Sequence, residues 1–139
     1  MELNKYKYLD MIITDHTFLV PLDYENKDSK EISIFAREIE RKETVNKELP
    51  YLVFFQGGPG YESPRPTTDS GWIKRASEEY KVLLLDQRGT GLSTPVFGDL
   101  FKAMNDNDLA HYLTFFRADN IVRDAEEIRK KLIQNKKWS

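Results

Sequence analysis

Two short apolar runs, each closed by a glycine turn, constrain this chain most. Leu49 to Phe55 is hydrophobic apart from Pro50, and Val82 to Leu85 is hydrophobic throughout. Unbroken runs of this length suit strands buried on both faces, as in a parallel sheet. The first stops at Gln56-Gly57-Gly58-Pro59-Gly60 and the second at Asp86-Gln87-Arg88-Gly89-Thr90-Gly91. Between them, Pro64 and Pro66 keep the chain out of a helix interior up to Thr68. A helix is predicted from Asp69 to Tyr80, with Trp72, Ile73 and Ala76 inward. Strand, helix and strand in this order make a right-handed βαβ unit. In such sheets ligands bind beyond the C-terminal ends of the strands, where both glycine turns fall.

The flanking segments read differently. Tyr8 to Val20 is rich in strand formers, among them Ile12, Ile13, Thr17, Phe18 and Val20. Pro21 to Ser29 is polar and turn-like. Glu31 to Glu40 alternates, with Ile32, Ile34, Ala36 and Glu38 on one face and Phe35, Arg37 and Ile39 on the other. This predicts an antiparallel hairpin with a long connection. Glu40 to Glu48 reads as a charged surface loop. Leu100 to Phe116 is assigned one or two short helices. Asp119 to Asn135 is a helix in which Ile121, Ala125, Ile128 and Leu132 form a core-facing stripe. Asp119 is the expected N-cap. Arg129, Lys130, Lys131, Lys136 and Lys137 make this end basic, as suits a helix C-terminus. Residues 1–139 are thus one partial domain, a β hairpin over 1–49 and a βαβα segment over 50–139.

Composition excludes several chemistries. The net charge is −2, so no strong global attraction to nucleic acid or an anionic membrane is expected. There is no cysteine, which removes disulfides, thiolate catalysis and cysteine metal sites. His16 and His111 are far apart and not on a metal-ligand spacing; each is expected at the surface or in a loop. No apolar run approaches the ~18 residues of a membrane helix, and the first ten residues lack an apolar signal core. A cytoplasmic protein is the expectation.

The first glycine turn admits three readings. A phosphate loop needs Gly-Lys-Ser/Thr, which is absent. A dinucleotide fingerprint needs a third glycine and an immediate helix, whereas Ser63 and Pro64 follow here. The third reading is an oxyanion hole, in which backbone N–H groups stabilise a developing alkoxide. A turn with no ligand would be the plainest account if the loop stood alone.

It does not stand alone. Gln56-Gly-Gly-Pro-Gly60, followed by Asp86-Gln-Arg-Gly-Thr-Gly-Leu-Ser93, resembles the prolyl aminopeptidase (proline iminopeptidase) family, serine peptidases of the α/β-hydrolase fold. Phe116-Arg-Ala-Asp-Asn-Ile-Val-Arg-Asp-Ala-Glu126 is similar to the helix that leads into the family's nucleophile strand. The resemblance is close over residues 50–139 and looser over the hairpin. It implies an α/β fold corresponding to the N-terminal half of an α/β-hydrolase, with the sheet incomplete. It also implies that Gly57 and Gly58 supply an oxyanion-hole N–H, and that Pro59 and Gly60 shape the loop near substrate. Gln56 stands where the family usually has His. Asp86 and Arg88 are expected to form a loop-organising pair near the site, with Gly89 a structural residue beside them. Ser93 lies in Gly-Leu-Ser and reads as a turn residue, not a nucleophile. The implied substrate is a small peptide, and no metal or cofactor is expected.

The family uses Ser, Asp and His in that chain order, with Ser in a Gly-x-Ser-x-Gly elbow. No such elbow occurs in these residues. Trp138-Ser139 resembles the start of the strand that would lead to it, so the 139 residues alone are expected to be inactive. The fold would also leave one edge of Tyr51 to Phe55 unpaired, and an apolar edge is a pairing template. The expectation is a chain that aggregates, self-associates through that edge or belongs to a longer protein. Two other readings stay open: a truncated, non-catalytic protein acting by self-association, and a different α/β-hydrolase such as an esterase or epoxide hydrolase.

Overall fold

A computed structural model describes residues 2–96 and 102–139. Five strands form one mixed sheet: β1 (Glu2–Tyr8), β2 (Met11–Pro21), β3 (Glu31–Arg41), β4 (Tyr51–Phe55) and β5 (Lys81–Asp86), in the order β1-β2-β3-β5-β4. β1, β2 and β3 form an antiparallel meander, β3 pairs antiparallel with β5, and β4 and β5 are parallel. The helices that matter for the site are α1 (Gly71–Ser77), α2 (Asp106–Leu113) and α3 (Ala118–Ile133). The Asn105 side chain caps α2 by accepting from the Asp108 amide. Leu100 and Phe101, where the helical stretch was expected to begin, lie outside the described residues.

The predicted hairpin is a three-stranded meander, because β1 precedes it. The β1–β2 turn is Leu9-Asp10, with Leu9 at a positive φ of 54°. The alternation along β3 holds. Ile32, Ile34 and Ala36 join a core on the α3 face with Phe18, Leu83, Leu85 and Ile128. Ile39 joins the opposite core with Met11, Ile13, Ile73, Val82 and Leu84, under α1. The highly charged segment begins later than expected, since Glu40 and Arg41 still belong to β3 and are buried.

The two apolar runs differ in place. β5 is central, and Val82, Leu83 and Leu84 are fully buried. β4 is the edge strand; Tyr51 to Phe54 are half-buried and Phe55 is exposed. Its outer side is not wholly unpaired. The Ser139 amide donates to the Tyr51 carbonyl at 3.0 Å, and the Val53 amide donates to the Ser139 carbonyl at 2.8 Å. One residue bonded to positions two apart is the parallel pattern, so Ser139 meets the outer side of β4 in the parallel manner.

The stripe on α3 packs as predicted, with Ile121, Ala125 and Ile128 buried and Leu132 partly so. Its N-cap is Arg117 rather than Asp119, which lies in the first turn. An acid there still favours the helix dipole. The basic C-terminal residues bind within the chain: Arg129 donates to the nearby carbonyls of Gln134 and Lys136, and Lys131 reaches back to that of Leu19 on β2. α1 is shorter than predicted. Trp72 is 44% exposed instead of inward, and lies against Phe54 with ring centroids 4.8 Å apart. No described helix is long and apolar enough to cross a membrane.

Candidate functional site

The two glycine turns meet because β4 and β5 are neighbours and parallel, so both loops leave the same edge of the sheet. A side chain joins them: the Gln87 Nε2 amide donates to the Gln56 carbonyl at 3.1 Å. Gln87 is buried, and its Oε1 has no hydrogen-bond partner among the described residues.

The first loop is exposed and has an unusual backbone. Gly58 has a φ of 131°, a region closed to residues bearing a Cβ. Glycine there lets successive amides face outward. The amides of Gly57 and Gly58 donate to no other described residue. Gly57 and Gly58 line a cavity of about 290 Å³ with Phe55, Gln56, Pro59 and Gln87 on one side and Ala118, Ile121 and Val122 of α3 on the other. Pro59 and Gly60 line a second cavity of about 220 Å³, with Gln87, Arg88, Gly89, Thr90 and Phe116 among its walls. The predicted residues Gln56 to Gly60 and Gly89 are therefore brought together. Unpartnered N–H groups at the rim of a partly apolar cavity suit a developing oxyanion.

Asp86 and Arg88 lie near this site but do not bind each other. Neither is at the surface, where an ion pair would contribute little. Asp86 is 0% exposed. Its carboxylate accepts from the Ser63 amide at 2.9 Å, the Leu92 amide at 3.0 Å and Arg65 Nη2 at 3.0 Å. It thus pins both glycine turns to the end of β5. The approach is close at Gly91, where an added Cβ would lie 2.2 Å from Asp86 Oδ2.

Arg88 is also buried and reaches the other way. Its Nε and Nη2 each donate to Asp124 at 2.7 Å. Its remaining donors bind the carbonyls of Pro21, Leu22 and Phe115. One guanidinium therefore ties the β5 loop to the β2–β3 connection, to the turn before α3 and to α3 itself. The Tyr24 hydroxyl donates to Asp124 at 2.7 Å. Burial, reinforced by that bond to a carboxylate, pushes the Tyr24 phenol well above its usual range. Burial also raises the Asp124 carboxyl, against the lowering pull of Arg88 and Tyr24.

Ser93 is buried, as a structural tie rather than an attacking group: its Oγ donates to the Asp86 carbonyl and accepts from the Phe35 amide at 2.8 Å. His111 is exposed and stands edge-on to Phe115. His16 departs from expectation. It is 5% exposed inside β2, with Nε2 3.0 Å from Glu38 Oε2. Glu38 also accepts from the Tyr51 hydroxyl at 2.8 Å. Burial pushes the Glu38 carboxyl up, but the bonds from His16 and Tyr51 outweigh it and hold its pKa below the ordinary 4.5. This cluster belongs to the sheet, away from the glycine turns. Among the described residues no group of acids and histidines is placed to hold a metal.

Residue patterns did not single out Gln87, Arg65 or Asp124. Asp124 had a signal: it shares the apolar face of α3 with Ile121 and Ile128, and a carboxylate on such a face needs a buried partner. Arg65 had none, since its partner Asp86 is remote in sequence.

No family model matches the chain. It is 52% identical over 125 residues to a proline iminopeptidase of Aeromonas sobria, covering 89% of this chain and 29% of that protein. It is 40% identical over 130 residues to a proline iminopeptidase of Aspergillus aculeatus, covering 88% of this chain and 29% of that one. The chain therefore spans under a third of the length of these curated relatives. Its mixed sheet, parallel pair and glycine turns make up the N-terminal part of an α/β-hydrolase. Over nearly the whole of its length the chain is thus similar to a fragment of proline iminopeptidases.

Proposed function

We propose that this chain forms the oxyanion-loop portion of a serine aminopeptidase that releases N-terminal proline from small peptides. The observation that supports this most is the pairing of the two glycine turns through Gln87 and Gln56, beside free amides at Gly57 and Gly58. In the reaction a serine oxygen attacks the carbonyl carbon of the first residue, and the carbonyl electrons move onto oxygen. Donors at Gly57 and Gly58 stabilise that charge, which is greatest in the tetrahedral state. Collapse expels the peptide amine, protonated by the base, and water then hydrolyses the acyl-enzyme. Serine, acid and base come from further sequence of a longer protein, so the 139 residues alone are inactive. The chemistry calls for no metal or cofactor. A cytoplasmic setting is part of this reading, in keeping with a cysteine-free composition.

The test is hydrolysis of a proline arylamide. The intact protein should turn it over, and a serine-directed fluorophosphonate should abolish turnover. The 139-residue chain should do neither. Turnover by the short chain, blocked by the same reagent, would overturn the assignment. Faster cleavage of simple esters or epoxides than of the arylamide would favour another hydrolase class.

The edge position of β4 favours a second reading, in which the isolated chain self-associates. Exposed Phe55 continues that edge beyond the residues bonded to Ser139. Sedimentation as a discrete dimer would support it, and a strictly monomeric, heat-stable product would sink it.

A further inference from the structure

A separate cavity of about 340 Å³ lies on the α1 side of the sheet, away from the glycine turns. Its walls are Tyr6 and Tyr8 of β1, Ile13 of β2, Arg37 of β3 and the segment Arg65-Pro66-Thr67. The segment is held over the sheet by the Tyr8 hydroxyl, which donates to the Thr67 carbonyl at 2.8 Å, and by Arg65 bound to Asp86.

Arg37 is the unusual member. Its side chain is 10% exposed, and Nε donates to Asp15 Oδ1 at 3.2 Å. Its Nη1 is buried with no hydrogen-bond partner among the described residues. A buried donor without a partner is costly, more so when charged. The guanidinium lies 5.0 Å from the Phe35 ring centroid, and Arg65 approaches the same ring at 6.0 Å. Two cations thus converge where one of the two nearby carboxylates is already committed: Asp86 accepts from two amides and Arg65. Asp15 meets Arg37 at a single point, and the Tyr6 hydroxyl reaches Asp15 only at 3.5 Å, the weak limit of a hydrogen bond. Arg37 Nη2, which is not sealed off and bonds to no described residue, and the Tyr6 hydroxyl are therefore donors with spare capacity beside a wall of Tyr8, Ile13 and Pro66.

We propose that this cavity binds a carboxylate carried on a compact apolar group, with Arg37 and Tyr6 as its donors. A charge-assisted bond to a held guanidinium is the strong kind, and the apolar wall takes the body of the ligand. The carboxylate belongs either to a free small acid or to the last residue of a peptide. The site is independent of the peptidase reading.

The probes are N-acetylleucine, its uncharged amide, and the blocked tripeptide acetyl-Gly-Gly-Leu, each titrated calorimetrically into the protein. N-acetylleucine should bind with a Kd on the order of 1 mM, as suits a small ligand with one ionic anchor. The amide should bind at least about tenfold more weakly, since it loses the charge-assisted bond. Arg37→Gln should cost about the same factor and Tyr6→Phe a smaller one. A tighter tripeptide identifies a peptide C-terminus as the ligand, and equal or weaker binding identifies a free acid. Equal binding of acid and amide, no saturable heat with either acid, or unchanged binding in Tyr6→Phe and Arg37→Gln would overturn the proposal. Should Arg37→Gln fail to fold, the amide and Tyr6→Phe still decide it.

Discussion

Gln87 and Gln56, one on each glycine turn, are joined by a side-chain amide donating to a backbone carbonyl at 3.1 Å. This bond sets how the first turn presents its amides, because the turn is otherwise exposed and lacks bonds of its own. Gln87→Met should have a small effect on stability, within about 1 kcal/mol, because it removes one bond and one buried acceptor that has no partner. The effect on rate should be larger. In the intact enzyme kcat should fall about tenfold with KM less affected, as expected when a positioning contact to an oxyanion loop is lost. Urea unfolding and steady-state kinetics on one preparation separate the two.

Arg88→Met removes the cation that three other segments share. A buried carboxylate left without its partner costs about 3–5 kcal/mol. Asp124 would be so stranded, with only Tyr24 still bonded to it. Chemical denaturation should show a large drop in midpoint. The double variant Arg88→Met, Asp124→Leu should recover part of it, since the coupling between touching residues is not additive.

Much of the site was legible in the residues, because glycine turns after apolar runs have few folds open to them. β5 could be read as buried on both faces from Val82 to Leu85. β4 has the same composition but is an edge strand, and composition does not report strand order. β1 was missed for a physical reason. From Leu3 to Tyr8 its side chains are exposed, so Tyr6 and Tyr8 alternate with Lys5 and Lys7 without a buried face. Its turn at Leu9-Asp10 lacks the glycine or asparagine that marks a two-residue hairpin. His16 looked like a surface residue because its partner Glu38 lies across a strand pair. Asp86 and Arg88 read as a pair in the sequence, yet each binds another residue, Arg65 and Asp124, set by tertiary contact alone.

The His16–Glu38–Tyr51 cluster predicts a pH dependence of stability. The folded pKa of Glu38 lies below its ordinary 4.5. A group depressed in this way contributes stability that is present above the unfolded value and lost as pH falls through the folded one. Urea midpoints should therefore hold down to about the unfolded value and then fall as the medium is acidified further. Glu38→Gln should lower the midpoint at neutral pH and flatten that acid limb. An unchanged acid limb in Glu38→Gln would assign the loss to other carboxylates.

In the proposed reaction the amide of the first glycine turn carries the charge stabilisation. Gly57 allows a clean test. A Cβ placed there meets nothing within 4 Å, and its φ is not among the positive ones. Gly57→Ala keeps the N–H and Gly57→Pro deletes it. The measurement is kcat of the two variants on a proline arylamide, made in the intact enzyme. Turnover should be near normal for Gly57→Ala and fall by about 10²–10³ for Gly57→Pro, the usual loss for one oxyanion-hole donor. Equal turnover in the two variants, with both folded, would contradict that role.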